Sequence, residues 1–168
     1  MASSDELKFR RLVQPHFEAG YNLALWLAGN PADAADVFQD ACFKSFKFID
    51  SLASENSKAW FLQIVRNTAY TFLRTRKSFS EIDDAVEDPA AGAETLLIRE
   101  SDAGHLREAI AGLPAQYKEI LVLRELEEMS YEAIAEILTL PMGTVMSRLA
   151  RAREHLRGNL RSKKGVRP

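Results

Sequence analysis

Almost every stretch of this chain spaces its apolar residues at helical period, and no stretch of useful length alternates as a strand would. The expected fold class is therefore all-α. Breaks fall where turn residues gather. A first helix is predicted from about Leu7 into "YNLALWLAG", bent near Pro15, and Gly29, Asn30 and Pro31 then mark a stop and a restart. In the next helix, "ADAADVFQDACFKSFKF", the spacing places Val37, Ala41 and Phe48 with Phe38 and Cys42 on an inner stripe. Asp33, Asp36 and Asp40 share the outer face. After "IDSLASENS" a long helix, "KAWFLQIVRNTAYTFLRTRK", offers Trp60, Ile64, Ala69, Phe72 and Leu73 for packing.

Composition then shifts. Between Ser78 and Gly104 the acids Glu81, Asp83, Asp84, Glu87 and Asp88 crowd before Pro89, as in a solvated, flexible linker between two helical units. Two small domains, 1–77 and 105–168, with an acidic linker at 78–104, are the expected organisation. Beyond the linker, "HLREAIAGL" and "AQYKEILVLREL" are split by Leu113-Pro114. The net charge of −2 conceals an acidic middle and a basic end, where Arg148, Arg151, Arg153, Arg157, Arg161, Lys163, Lys164 and Arg167 are opposed after Met142 only by Glu154. The charge split gives the acidic linker a basic tail to lie against in the free protein.

Several classes are excluded on composition. One cysteine, Cys42, allows no internal disulfide and no multi-cysteine metal site, and beside Phe43 it reads as a half-buried hydrophobe. His16, His105 and His155 fall on separate helices. Neither a nucleophile paired with a base nor a Gly-rich phosphate loop is present, so an enzyme, a cofactor and a metal are not expected. The N-terminus lacks the apolar core of a secretory signal, and no apolar run is long enough to cross a bilayer, so the expected setting is the cytoplasm, with no membrane insertion.

The most specific pattern is "YEAIAEILTLPMGTVMSRL", which has the spacing of a helix-turn-helix. Ala135 is small where two helices would approach, Ile134 and Leu138 face inward, and the turn occupies Thr139 to Pro141. Val145, Leu149, Ala152 and Leu156 form one buried stripe. Met146, Ser147, Ala150, Arg151 and Glu154 point away from it, with Arg148 and Arg153 on its flanks. Gly143-Thr144 lets the first turn approach a phosphate, and arginines can bond guanine edges or phosphates bidentately.

The stretch "LPAQYKEILVLRELEEMSYEAIAEILTLPMGTVMSRLARAREHLR", about a quarter of the chain, resembles region 4 of the extracytoplasmic-function (group four) sigma factors of bacterial RNA polymerase, in the sigma-70 family. "PADAADVFQDACFKSFKFID" is similar to regions 2.1–2.2, and "KAWFLQIVRNTAYTFLRTRK" to regions 2.3–2.4. The resemblance implies an alternative sigma factor that binds core RNA polymerase, at the β′ coiled coil and β flap, and directs it to promoter DNA. It assigns minus-35 contact to Thr144, Met146, Ser147, Arg148, Ala150 and Arg151. Minus-10 contact falls to Arg66, Asn67, Tyr70, Thr71 and Arg74, with Arg76 and Lys77 nearby and the loop from Leu52 to Lys58 capturing a flipped base. Polymerase binding falls to Asp33, Asp36, Gln39 and Asp40. An anti-sigma factor or other regulator is a further implied partner.

This chain departs from the family pattern at five positions: Met146 for Lys or Arg, Ala133 for Glu, Thr139 for the turn glycine, Ala35 for Glu and Thr71 for Asp. A sigma-like decoy that sequesters an anti-sigma factor without binding DNA is the alternative; it should have lost the Gly-Thr-Val surface that is present here. A stand-alone regulator would not need the N-terminal unit, and a structural adaptor would not need the basic tail.

Overall fold

The computed structural model describes residues 1–52, 54–80 and 102–164, and every regular element among them is helical. Helix α1 (Ser4–Leu12) starts at Ser3, whose hydroxyl accepts the Glu6 N–H at 3.2 Å; acids open the helix and Arg10 and Arg11 close it, matching its dipole. Pro15 falls in a short 3-10 turn, Gln14–His16, that redirects the chain into α2 (Phe17–Ala28). Gly29, at φ 88°, ends α2 in the left-handed region. Asn30 then caps α3 (Pro31–Lys47), accepting the Asp33 N–H at 2.9 Å, with Pro31 in the first turn. A longer helix, α4 (Ser57–Ser80), completes the N-terminal unit.

Helices α2, α3 and α4 pack on one another through Leu23, Ala24, Val37, Ala41, Phe61, Leu62 and Val65, all buried. Around this core Phe9, Phe17, Tyr21, Phe38, Phe46 and Phe61 meet mostly edge to face, for example Phe17–Phe38 at 5.3 Å between centroids. The α2–α4 crossing needs a glycine: a Cβ on Gly20 would lie 2.5 Å from Cε1 of Phe61. One sequence expectation fails here. Phe48 is 53% exposed, because α3 ends at Lys47 and Phe48 (φ −104°, ψ 19°) leaves the helical phase. The inner stripe instead runs Ala34, Val37, Ala41 and Ser45, with the Ser45 hydroxyl donating to the Ala41 carbonyl at 2.6 Å.

The C-terminal unit comprises α5 (Asp102–Ala111), α6 (Ala115–Leu121), α7 (Tyr131–Leu138) and α8 (Met142–Lys164). Pro114 separates α5 from α6, as its missing N–H predicts. A wide π-type turn, Val122–Leu126, follows α6. Ser130 caps α7 by accepting the Ala133 N–H at 3.1 Å. Thr139 ends α7 in the left-handed region (φ 54°, ψ 53°), and α8 leaves at 97° to α7. Val145, Leu149 and Ala152 are buried, Leu156 is half-buried, and the helix-turn-helix stands as its spacing predicts.

Both ends of the expected linker are helical, 78–80 in α4 and 102–104 in α5; its centre, 81–101, lies outside the described residues, as does the tail from 165. The expected linker–tail contact falls on these residues. The two units do touch directly. Helix α4 packs on α7, α2 packs on α6, and one cluster of buried residues runs through both halves. Among the described residues no single helix is long and apolar enough to cross a membrane.

Candidate nucleic-acid and polymerase interfaces

Helix α8 splits its residues as its sequence period requires. Met146 (55% exposed), Ser147, Ala150, Arg151 and Glu154 face solvent, opposite the buried Val145–Leu149–Ala152 stripe. Thr144 and Arg148 sit half-buried at the margins. Arg148 and Arg151 have no ion-pair partner among the described residues, whereas Arg153 is held by Glu125 at 2.7 and 3.1 Å. That bond raises the Arg153 pKa. So of the arginines expected along this helix, Arg153 is structural. The first turn is also more occupied than expected: the Thr144 and Val145 N–H groups both bond to the Pro141 carbonyl, leaving those of Met142 and Gly143 at the tip. A Cβ added to Gly143 would meet nothing within 4 Å, so the fold itself does not require glycine there. Ala135 is only half-buried; Ala133 is the more deeply packed small residue of α7.

On α4 the structure gathers Arg66, Asn67, Tyr70, Thr71 and Arg74 along one ridge, linked to each other. The Arg66 guanidinium lies 4.2 Å from the Tyr70 ring centroid and donates to Asn67 Oδ1 at 3.3 Å. Thr71 donates to the Asn67 carbonyl at 3.0 Å, and Arg74 donates to Thr71 Oγ1 at 3.4 Å. Asn67, Thr71 and Arg74 are exposed. Arg66 and Tyr70 are half-buried, because the C-terminal unit meets them. Arg66 donates to both carboxylate oxygens of Glu119 on α6, at 2.9 and 3.3 Å, and Glu119 is 1% exposed. Burial opposes the Arg66 charge, but the Glu119 bond and charge outweigh it and raise its pKa. Burial, reinforced by Glu119, pushes the Tyr70 hydroxyl up to about 12. Glu119 escaped the sequence reading altogether. A signal existed: "EILVL" is apolar on every side of its helix, which means burial on more than one face.

The loop before α4 also reaches the C-terminal unit. Asn56 donates to Glu136 at 3.3 Å, and Lys58 lies 3.8 Å from the Glu127 carboxylate and 3.3 Å from its carbonyl. Ser57 Oγ is 3.3 Å from Nε2 of His16, whose pKa is lowered by burial and by Lys58. Leu52 is buried, and Ala53 lies outside the described residues. Trp60 is half-buried against the core.

On α3, Asp36, Gln39 and Asp40 are exposed, Asp40 pairing with Lys44 at 3.1 Å. Asp33 is not part of that open face. Its carboxylate accepts from Asn30 at 2.7 Å and pairs with Arg76 of α4, and its side chain is 15% exposed. The reason is position: Asp33 sits in the first turn beside its cap, where α4 passes. Beyond Asp40 the exposed Phe43 (70%), Phe46 (42%) and Phe48 (53%) extend the surface with aromatic area that helical periodicity had not flagged. Cys42, on the same helix, is half-buried against the core, and burial pushes its thiol up to about 11, so it behaves as a hydrophobe.

Comparison with known proteins agrees with this division. The model of sigma-70 region 2 matches residues 12–79, and that of sigma-70 region 4 matches 104–156. The chain is 32% identical to the RNA polymerase sigma factor SigV of Bacillus subtilis over 146 residues, 86% of each chain. It is 35% identical to the ECF RNA polymerase sigma-E factor of Escherichia coli K12 over 135 residues, 73% of this chain and 71% of the other. The sigma factor RpoE of Bartonella quintana, solved in complex with the anti-sigma factor NepR, superposes with a TM-score of 0.75 at 27% identity, covering 91% of this chain and 96% of that one. Neither matched region spans half of the chain, so a score of that size needs both regions in a similar mutual arrangement. The chain belongs to the extracytoplasmic-function sigma factors of the sigma-70 family.

Proposed function

We infer that this sigma factor directs promoter-specific transcription initiation through three surfaces, one on each of α3, α4 and α8. Residues 1–77 form the polymerase and minus-10 unit, and residues 105–168 the minus-35 unit. The outer face of α8 reads the duplex major groove through Met146, Ser147, Arg148, Ala150 and Arg151, with Thr144 and the tip of the helix at a phosphate. The observation that carries this reading is the solvent face of α8, where Arg148 and Arg151 pair with no acid among the described residues and the space over Gly143 is open. Met146 in place of a cation gives that face an apolar contact for a thymine methyl, so its preferred sequence differs from that of a lysine- or arginine-bearing relative.

The α4 ridge, Arg66, Asn67, Tyr70, Thr71 and Arg74, binds the opened minus-10 strand; cations and an amide hold backbone and base edges, and Tyr70 offers a stacking face. Asp36, Gln39 and Asp40, extended by Phe43, dock on core polymerase, the acids steering toward a basic surface and the aromatic supplying apolar area. Asp33 supports that face through Arg76. The reaction itself belongs to the polymerase, since sigma factors are not enzymes. The chain works in the cytoplasm, and its regulator is an anti-sigma factor, the kind of protein bound to Bartonella quintana RpoE.

Run-off transcription with purified core polymerase on genomic promoter fragments tests the reading. A specific transcript that disappears with Arg148→Ala/Arg151→Ala is expected. Folded protein that binds an anti-sigma factor but yields no transcript and no polymerase complex would establish the decoy instead.

A further inference from the structure

The two edges of α8 differ in charge. Thr144, Arg148 and Arg151 follow one edge at helical spacing, and both arginines lack an ion-pair partner among the described residues. The other edge carries Met142, Met146 and Ala150, all exposed. Its first cation is Arg153, two turns past Met146 on the same row. That guanidinium is already bonded. Two of its nitrogens donate to one Glu125 oxygen, at 2.7 and 3.1 Å, and Tyr131 of α7 faces it as well. Glu125 stands in the wide turn Val122–Leu126, so an acid from outside α8 decides where its third arginine points. The fold gains little from this pair: the Arg153 and Glu125 side chains are 40% and 50% exposed, and ion pairs in water contribute little to stability. What the bond does fix is direction, because a guanidinium held through two nitrogens keeps one orientation.

We propose that Glu125 is a specificity-positioning residue for duplex recognition: by holding Arg153 it keeps the Met142–Met146 edge of α8 without an available cation, so that edge selects base pairs by apolar contact with no added phosphate contact. The proposal rests on the assignment of α8 to duplex. A released Arg153 finds no acid on its own row, where Met146, Ala150 and Arg157 are its neighbours, and DNA phosphates are then the anions at hand. Such a contact adds affinity for every sequence alike and carries no sequence information, so it dilutes whatever preference Met146 confers. The two departures from a uniformly basic helix therefore work together. Met146 removes a cation where the family pattern has Lys or Arg, and Glu125 withholds the next one along the same edge.

The test uses the full chain with Glu125→Gln, which removes the charge at nearly constant shape on an exposed position and leaves the fold intact, as circular dichroism checks. Binding to a labelled mixed-sequence duplex should tighten severalfold, and the slope of log affinity against log salt should steepen by about 0.9, one added phosphate contact. Sequencing of a randomised duplex library after binding should show weaker selection than with the parent. Arg153→Ala added to Glu125→Gln should return both slope and selection to those of the parent. Glu132→Gln, an equal charge change on the exposed first turn of α7, should leave both as they are. A gain that survives Arg153→Ala overturns the proposal, because the acid then acts by repelling phosphate directly. Unchanged slope and selection in Glu125→Gln overturn it too, and so does the same steepening in Glu132→Gln. The assignment of α8 fails separately, and the proposal with it, if parent binding is indifferent to Arg148→Ala/Arg151→Ala or the library shows no selection at all.

Discussion

Thr139 holds the left-handed corner of the helix-turn-helix, where glycine would be the unstrained residue, and replacing it with glycine should stabilise the chain. At φ 54° and ψ 53° a β-branched L-residue carries roughly 1–2 kcal/mol of strain. Glycine relieves it but frees the unfolded chain, which returns about 0.5–1 kcal/mol. Its hydroxyl accepts from Gln63 at 3.5 Å on an exposed edge, a bond at the limit of useful length and worth no more than about 0.5 kcal/mol. The balance is a net gain of about 0.5 kcal/mol for Thr139→Gly, a rise in melting temperature of about 1–2 °C. Urea denaturation followed by circular dichroism measures it, with Gln63→Ala and the double variant completing a cycle. The cycle isolates the hydroxyl, whose coupling to Gln63 should be small. A loss of more than about 0.5 kcal/mol in Thr139→Gly, with strong coupling to Gln63, would refute the strain account and make the corner an inter-unit anchor instead.

Other perturbations have equally definite outcomes. Gly20→Ala drives a methyl into Phe61, which is fully buried in the aromatic cluster and has no space to retreat, so thermal melting should report a loss of about 1–3 kcal/mol. His16 is held below its ordinary 6.5 by burial and by Lys58, so the folded state binds its proton less readily than the unfolded one. The stability this contributes is present above 6.5 and is lost as pH falls below it, and urea midpoints between about pH 7.5 and 5.5 should fall more in the parent than in His16→Gln. Arg151→Ala should cost about 1–3 kcal/mol at a single base position in a promoter-variant binding series if Arg151 reads that base, and a uniform loss across sequences would make it a phosphate contact.

How far the sequence carried depended on the range of the interaction. Local signals read true: Pro15 bends the N-terminal helix, the turn after α7 opens at Thr139, and Val145, Leu149 and Ala152 turn inward at the expected period. Misreadings came where a helix end or a distant element decided the outcome. Phe48 was assigned inward by extending the period of α3 one residue past its end. Asp33 was assigned outward because nothing local announces Arg76, 43 residues away. Glu119 and Arg66 lie 53 residues apart, and an acid on an amphipathic helix ordinarily faces water, so their burial together was invisible to periodicity. Cys42 came out half-buried as expected because its own helix settles that.

The contrast between the two sets of arginines gives the closed chain an order of events. Arg148 and Arg151 have no ion-pair partner among the described residues, so the minus-35 contact proposed for them breaks no bond between the two units. Arg66 is committed to a carboxylate that is 1% exposed, so the strand contact proposed for it must first expose Glu119 to water and find Arg66 a new anion. The phosphate that replaces Glu119 supplies that anion, and this makes strand binding and opening one coupled step rather than two. The polymerase contact proposed at Asp36, Gln39 and Asp40 engages α3 and leaves the Arg66–Glu119 pair untouched. It therefore favours separation of the two units only if polymerase also holds the C-terminal unit. A chain carrying Glu119→Gln should then need less help from that second contact, and weakening it should reduce its transcription less than that of the parent.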